Sequence, residues 1–534
     1  MVHAKKAGLL YVLIAFRFPI SSFFICLILS STSTLLYAQQ QDELAVPYGT
    51  ASGDVTAHSA IVWSKTNKES KMHAQYDNAS NFSGTPQHFQ TQVVNKSTDY
   101  TGHIKLNNLT SNTIYYYRIW FSDLANSSVR SDSVTGKFKT APDKSDNTEN
   151  VTFVIAGDLG GSKLCRHTDT GYPILGVVKA LSPDFFIFNG DQIYGDNDCP
   201  LTPSSFVLNH FPGWKNIKGD FPSVTDSSVN WNNSDQLHQV YLKHWQYNRA
   251  DRHLQNLLNS TSMYSQADDH EVINDYGGLW AYDYIDSRNS HREGYPKLVK
   301  NGIDLFFEFS PIDRHQTDSN RIYRSFNWGK NLDLFLLDAH SYRSQNNLPD
   351  TIQYNKTLYG KQQLEWLKNG LLGSNATWKV ISNTVPITIP NCFGERNSCD
   401  NWATTGATNN TFVRERNAFL KFLDEHNIKN IVFIATDVHF AGTVNVTQDF
   451  DGDGDALTFY EMVNGPLNTF THNSTNPVDP TINANYLYNE SAIFNFGYLK
   501  IQQYKHDQRT HLLYEVVDSN NRFRPGSQLD LVPK

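Results

Sequence analysis

Two rhythms of apolar and polar positions succeed one another along the chain. From about Val46 to Thr140, short runs such as "SAIVWSKT", "KMHAQYD", "HFQTQVV", "TGHIKLNNL" and "TIYYYRIWF" alternate or cluster β-branched and aromatic residues, with Gly, Asn, Asp and Ser between them. Strands of that length at regular spacing predict a small β-sandwich. The stretch "TAPDKSDNTEN" (140–150) is polar, contains a proline and reads as a linker. Beyond it "VTFVIAGD" predicts a buried strand, "ILGVVKAL" a helix and "PDFFIFNGD" a second strand. Such a βαβ unit sets its strands parallel, with their C-terminal ends on one edge. "LDLFLLDAH", "WKVISNTVPI" and "NIVFIATDVHF" repeat the buried-strand pattern, with helical spacing in "GKQQLEWLKNGLL" and "RERNAFLKFLDEHN". The second body is therefore predicted to be α/β, with a ligand site at the strands' C-terminal ends. The 195–330 segment has no clean period and is expected to lay loops and helices over that site.

The chain's beginning changes the picture of where it works. Lys5 and Lys6 precede a long apolar stretch interrupted by Arg17 and Pro19, and "LLYA" before Gln39 resembles a cleavage site. Residues 1–38 thus read as a signal peptide or an uncleaved N-terminal anchor, either of which predicts export to a secreted, periplasmic or surface location. No later segment approaches the roughly 18 apolar residues of a second membrane span. Cys26 lies in the leader, leaving Cys165, Cys199, Cys392 and Cys399. Four cysteines allow three pairings. Cys392–Cys399 is favoured as a short loop, and Cys165–Cys199 because neighbouring parallel strands would bring those two loops together. The net charge of −8 offers no basic face for nucleic acid. A monomer is the default, and a membrane contact would come only from an uncleaved leader.

Candidate chemistry concentrates at strand ends. "IAGDLGG" carries Asp158, "FNGDQIYGDN" Asp191 and Tyr194, "ADDHEVINDYG" Asp268, Asp269 and His270, and "ATDVHFAG" Asp437 and His439. One Gly-Asp after a strand is a common turn. Four acidic endings on one sheet edge would repel one another unless multivalent cations neutralised them. Asp and His ligands suit Fe, Mn, Zn or Ca, and a two-metal site suits phosphoester hydrolysis.

Asp158, "GDQIY", "DDHE" and "DVH" together resemble the calcineurin-like metallophosphoesterase superfamily, and more closely its PhoD-like alkaline phosphatase/phosphodiesterase family. "GTASGDVTAHSAIVWSKT" is similar to that family's N-terminal domain, and "LNNLTSNTIYYYRIWF" resembles the end of a fibronectin type III-like domain. The resemblance implies a leader (1–38), a fibronectin type III-like β-sandwich (45–142) and a four-layer α/β/β/α catalytic domain (150–534). It implies phosphomonoester hydrolysis by metal-activated hydroxide, with phosphodiesters as further substrates. Asp191 would bridge two metals. Tyr194, with Asp158 and His439, would hold Fe3+, and Asp269, Asp437 and Asn274 would hold the second ion, Ca2+, Mn2+ or Zn2+. His270 would act as proton donor or orienter, and Asn383 would touch a metal or the phosphate. One departure stands out: "GD" at Gly157-Asp158 occupies the place of the family's Ser-Cys, and "GDLG" resembles the first motif of purple acid phosphatases. A phospholipase D-like phosphodiesterase and a surface-binding protein with a degenerate catalytic domain are the alternatives.

Three further expectations come from the residues themselves. Arg166 and His167, in the loop after the first catalytic strand, are candidates to clamp a phosphate. Arg343 in "DAHSYRS" is expected to pair with Asp338. "DFDGDGDALTFYE" (449–461) begins like a calcium loop, but Tyr460 stands where an acidic twelfth position is needed, so a tight hairpin turn is the expectation.

Overall fold

The structure, a computed structural model, describes residues 43–534 apart from 85–86, 147–149, 204, 279–292, 316–317, 319, 394–397, 473–474 and 505. The expected leader lies outside the described residues. The strands β1 (Thr50–Gly53), β2 (Ser59–Lys65), β3 (Ser70–Asp77), β4 (Gln87–Val94), β5 (Thr101–Asn107), β6 (Ile114–Ser122) and β7 (Val134–Lys139) come first. Then β8 (Asn150–Ala156), β9 (Phe185–Asn189) and β10 (Ser262–Gln266) lie side by side and parallel, with Ala156 opposite Phe188 and Asn189 opposite Gln266. A second sheet contains β11 (Arg324–Trp328), β12 (Leu332–Leu336) and β13 (Trp378–Ser382). After the short hairpin β14 (Cys392–Phe393) and β15 (Ser398–Cys399), β16 (Ile431–Ala435), β17 (Ala441–Gln448), β18 (Leu457–Val463) and β19 (Ala484–Glu490) extend that sheet. Finally β20 (Asn495–Gln503), β21 (Thr510–Asp518) and β22 (Leu529–Leu531) run antiparallel on the far side of β8.

Side-chain alternation builds the layers. In β8, Phe153 and Ile155 join Phe185 and Ile187 of β9 against Leu334, Leu336, Val380 and Val432 of the second sheet. Their neighbours Val154, Ala156, Phe186 and Phe188 point the other way, onto helices α1 (Pro173–Leu181), α2 (Ser234–Arg249), α3 (Arg252–Leu258) and α4 (Tyr295–Phe309). The outer face of the second sheet, through Phe335, Ile381 and Phe433, packs on α5 (Gly360–Leu372) and α6 (Val413–Glu425). Strands covered on both faces read as continuous apolar runs, which is why these were conspicuous in the sequence.

Two arrangements differ from expectation. The N-terminal strands have their own core, with Val62, Ile104 and Leu106 packed on Met72, Ala74 and Ile119, but only β4-β3-β6-β7 form a separate sheet. β1, β2 and β5 prolong the catalytic sheet, which runs β22-β21-β20-β8-β9-β10-β1-β2-β5, because β1 pairs in parallel with β10 at Gly53 and Met263. Within the 195–330 segment, β10 and β11 are sheet strands as well as the loops and helices expected there. The β10 sequence "SMYSQ" is polar yet wholly buried, so its burial left no apolar signature.

Candidate metal centre

Each candidate ligand follows the last residue of a buried strand, where the chain turns sharply. Asp158, Asp191, Asp437 and His439 all adopt left-handed backbone, at φ 61°, 50°, 71° and 56°. Non-glycine residues there cost roughly 1–3 kcal/mol each and persist where the surroundings hold them. Here cross-ties hold them. Glu271 accepts from the amides of Asp191 (3.1 Å), Gln192 (2.6 Å) and Asp268 (2.8 Å), joining the loops after β9 and β10. The Thr436 hydroxyl donates to Asn189 O (2.7 Å), and Asn189 Nδ2 donates to Asn383 O (2.9 Å), binding the edges of the two sheets together.

The side chains so delivered converge. Tyr194 Oη lies 3.2 Å from His439 Nε2, which is 3.9 Å from Asp158 Oδ1. Ligand atoms of Asp191, Asp269 and His270 all fall within 4.8 Å of one another. The His270 ring lies on the Tyr194 ring at 4.0 Å between centroids, and its Nδ1 meets Asp196 Oδ1 at 2.7 Å. Asn391 Nδ2 donates to Asp437 Oδ2 (2.9 Å).

The electrostatics are those of an acidic cluster without its counter-charge. Both carboxylate oxygens of the fully buried Asp158 lack a completed hydrogen bond, as do His439 Nδ1 and Asn383 Oδ1. Burial, then the Asp268 charge, pushes the Asp158 and Asp437 carboxyls well above the usual range. Burial raises Asp191 likewise, and Asp269 to about 6. Burial, then the Asp191 charge, raises the Tyr194 phenol. Burial pushes His439 well down, keeping its imidazole neutral, the form that ligates. For His270 burial acts downward, but the carboxylates of Asp196, Asp269 and Asp191 outweigh it, so the imidazolium is favoured. Buried carboxylates, a phenol, a neutral imidazole and unpartnered oxygens form a donor set that fits hard cations.

The pattern of the PhoD-like phosphatase family matches residues 161–512, and that of the PhoD-like phosphatase N-terminal domain matches 30–142. The chain belongs to the PhoD-like phosphatase family. Alkaline phosphatase D of Bacillus subtilis (strain 168) is 24% identical over 444 residues, covering 78% of this chain and 68% of that protein. The solved structure of PhoD superposes with a TM-score of 0.69 at 17% identity, covering 92% of this chain and 93% of that one. A purple acid phosphatase from yellow lupin (Lupinus luteus) seeds gives a TM-score of 0.57 at 12% identity, covering 91% and 74%. This PhoD-like chain is a phosphoesterase hydrolase with candidate metal-binding groups.

Other expected site residues have different surroundings. Arg166 is no free clamp: Nη1 donates to Tyr247 O (2.8 Å) and Nη2 to Ala250 O (3.1 Å), with Asp251 at 3.6 Å, so the guanidinium braces the α2–α3 corner. His167 Nδ1 accepts from the Asp169 amide at 3.2 Å and its ring abuts Trp214, so it is held in its own loop. Arg343 pairs with buried Asp400, whereas Asp338 accepts from the His340 and Ser341 amides. Asn274 donates its amide to Asp196 Oδ2 (3.0 Å). Residues 449–456 form the β17–β18 hairpin connection, and Asp424, Asp449 and Asp451 gather beside it. Both favoured disulfides, Cys165–Cys199 and Cys392–Cys399, are present.

Asp196, Glu271, His340, Asn391 and Phe470 join the centre without having stood among the candidate residues of the sequence. Asp196 and Glu271 stand inside the quoted motifs, and so do their partners, but Asp196 meets His270 across 74 residues and Glu271 meets Asp191 across 80. His340 Nε2 meets Asp268 Oδ1 at 2.6 Å across 72 residues, and Phe470 stacks edge-on to His439 at 4.7 Å. No local spacing announces such contacts.

Proposed function

We propose that this chain is an exported, metal-dependent phosphatase that hydrolyses phosphomonoesters, using cations held by Asp158, Asp191, Tyr194, Asp269, Asp437 and His439. One observation carries the reading: the fully buried Asp158 carboxylate, which no side chain neutralises by a hydrogen bond, stands beside a phenol and a neutral imidazole. An uncompensated buried carboxylate is too costly to keep except as a ligand or protonated. Asp158, Tyr194 and His439 would hold Fe3+, and Asp269, Asp437 and Asn383 a second ion, Ca2+, Mn2+ or Zn2+, with Asp191 as a further carboxylate ligand. The cations would supply polarisation of the phosphoryl group and an activated water nucleophile.

The chain's own residues do the rest. Asp196 holds His270 through Nδ1, leaving the Nε2 proton for the departing alkoxide. The Tyr194 ring fixes the imidazole plane from one side. Glu271 keeps the loops bearing Asp191 and Asp269 in register through three amides. The two disulfides fit export into an oxidising compartment. No helix among the described residues is long and apolar enough to cross a membrane.

The test is turnover of p-nitrophenyl phosphate against its bis-ester, with metal analysis and a visible spectrum of the same sample. Faster monoester turnover, two metals per chain and tyrosinate–iron absorption are expected. Preference for the bis-ester would make the chain a phosphodiesterase. No turnover of either ester with metals bound would sink the enzymatic mechanism, and a colourless active protein would remove Tyr194 from an iron site.

A further inference from the structure

The hairpin β14–β15 supplies no ligand, yet the residue that enters it reaches the centre. Cys392 pairs with Cys399 across it, and the adjoining residues Asn391 and Asp400 are joined by the Asp400 amide donating to Asn391 O (2.8 Å). From one side Asn391 Nδ2 donates to Asp437 Oδ2. From the other, Asp400 receives Arg343 and Asn346 Nδ2, all three buried. Asn401 Nδ2 donates to Ile389 O (2.8 Å), closing the chain on itself just before the hairpin.

Asp437 needs such a holder. It sits in left-handed backbone, at φ 71°. Among the described residues, Asn391 is the one side chain that donates a hydrogen bond to it. An amide donor on one carboxylate oxygen fixes its orientation and leaves the other oxygen for a cation. A buried loop of side chains would not hold Asn391 at that spot by apolar packing, because Asn391 itself is only half-buried. What adjoins it is the Asp400 amide on its carbonyl and the Cys392–Cys399 link one residue away.

We infer that Asn391 is a positioning residue for Asp437, and that the Cys392–Cys399 disulfide tunes the second metal's affinity by holding Asn391 in place. The inference rests on the two-cation reading of the centre. Groups that orient a metal ligand typically change affinity by about 10–100-fold when removed.

The experiment reloads metal-stripped protein with one equivalent of Fe3+, checked by visible absorption from the Tyr194 site, then titrates Mn2+ and follows loading of the second site by calorimetry. Asn391→Ala should raise the midpoint of the weaker site at least tenfold and leave the iron absorption in place. Asn391→Gln, which keeps an amide donor, should recover part of that loss. The paired substitution Cys392→Ser/Cys399→Ser should shift the same midpoint in the same direction by a smaller factor. Unchanged midpoints in Asn391→Ala, melting like the parent, would overturn the role of Asn391. Unchanged midpoints in the cysteine pair would overturn the role of the disulfide. If the parent protein takes up a single metal, the two-cation reading falls and this inference with it. If Asn391→Ala does not fold, the Gln and cysteine variants decide the matter by the same midpoints.

Discussion

At the scale of single residues, the centre divides into groups that would hold cations and groups that hold a proton. Asp158→Asn removes the buried, unpartnered carboxylate, so two opposite outcomes are expected from one change. Turnover of p-nitrophenyl phosphate falls to background, while the metal-free variant melts above the metal-free parent, since a carboxyl whose charged form burial disfavours is gone. Melting with and without chelator checks both. His270→Asn should lower kcat by about 10²–10⁴ with the metal content unchanged, as loss of a proton donor does. Asp196→Asn, which removes the carboxylate at Nδ1, should lower kcat less and move the basic limb of the pH–rate profile downward, because that carboxylate helps to raise His270. A profile that does not move would detach Asp196 from the proton transfer.

At the scale of elements, close approach of backbone to site side chains explains two glycines. A Cβ on Gly161 would stand 2.3 Å from Tyr194 Cζ, and one on Gly465, at φ 130°, 2.2 Å from Asp158 Oδ2. Gly161→Ala should therefore displace Tyr194, costing about 1–3 kcal/mol of stability and shifting or abolishing any tyrosinate absorption. A second prediction concerns the loops after β8 and β9, which Cys165–Cys199 joins across a sequence separation of 34. Closing a loop of that size contributes about 3–4 kcal/mol. Replacing both cysteines by serine should lower unfolding stability by about that much in denaturant titration. The pairing itself was legible from the parallel β8–β9 geometry that the apolar runs implied, whereas the fixing of Asn391 by the other disulfide was not.

At the scale of the whole molecule, the N-terminal strands and the catalytic body share one sheet and a buried ion pair. Arg324 contacts Asp54 at 2.8 to 3.0 Å, with Asp54 almost wholly buried. Removing one partner of such a pair costs about 3–5 kcal/mol, so Asp54→Ala should destabilise both parts in one transition. A variant unfolding in two separated steps would mean that the parts are independent. Metal and stability are coupled as well. Burial raises Asp269 to about 6 and Glu271 to about 8, both above their unfolded values near about 4. The folded chain therefore holds protons that the unfolded chain releases, and the metal-free protein should lose stability as pH rises from about 4 to 8. A cation that replaces the proton on Asp269 weakens the trend. Melting at pH 5 and pH 8, with and without chelator, checks the sign.

What the chain determined by itself was the set of buried strands and what stands at their ends. Phe185-Phe186-Ile187-Phe188 followed by Asp191 and Tyr194 is a local pattern, and periodicity reports local burial faithfully. The polar strand β10 escaped notice because its "SMYSQ" is buried by neighbours far away in sequence. Tertiary structure alone decided that β1, β2 and β5 extend the catalytic sheet, that Arg166 braces a helix corner and that Arg343 meets Asp400. It also placed Glu271, Asn391 and Phe470 around the ligands. Each of these is a contact across tens to hundreds of residues. It exists only once the sheets have brought their edges together, and one chain's periodicity carries no record of it.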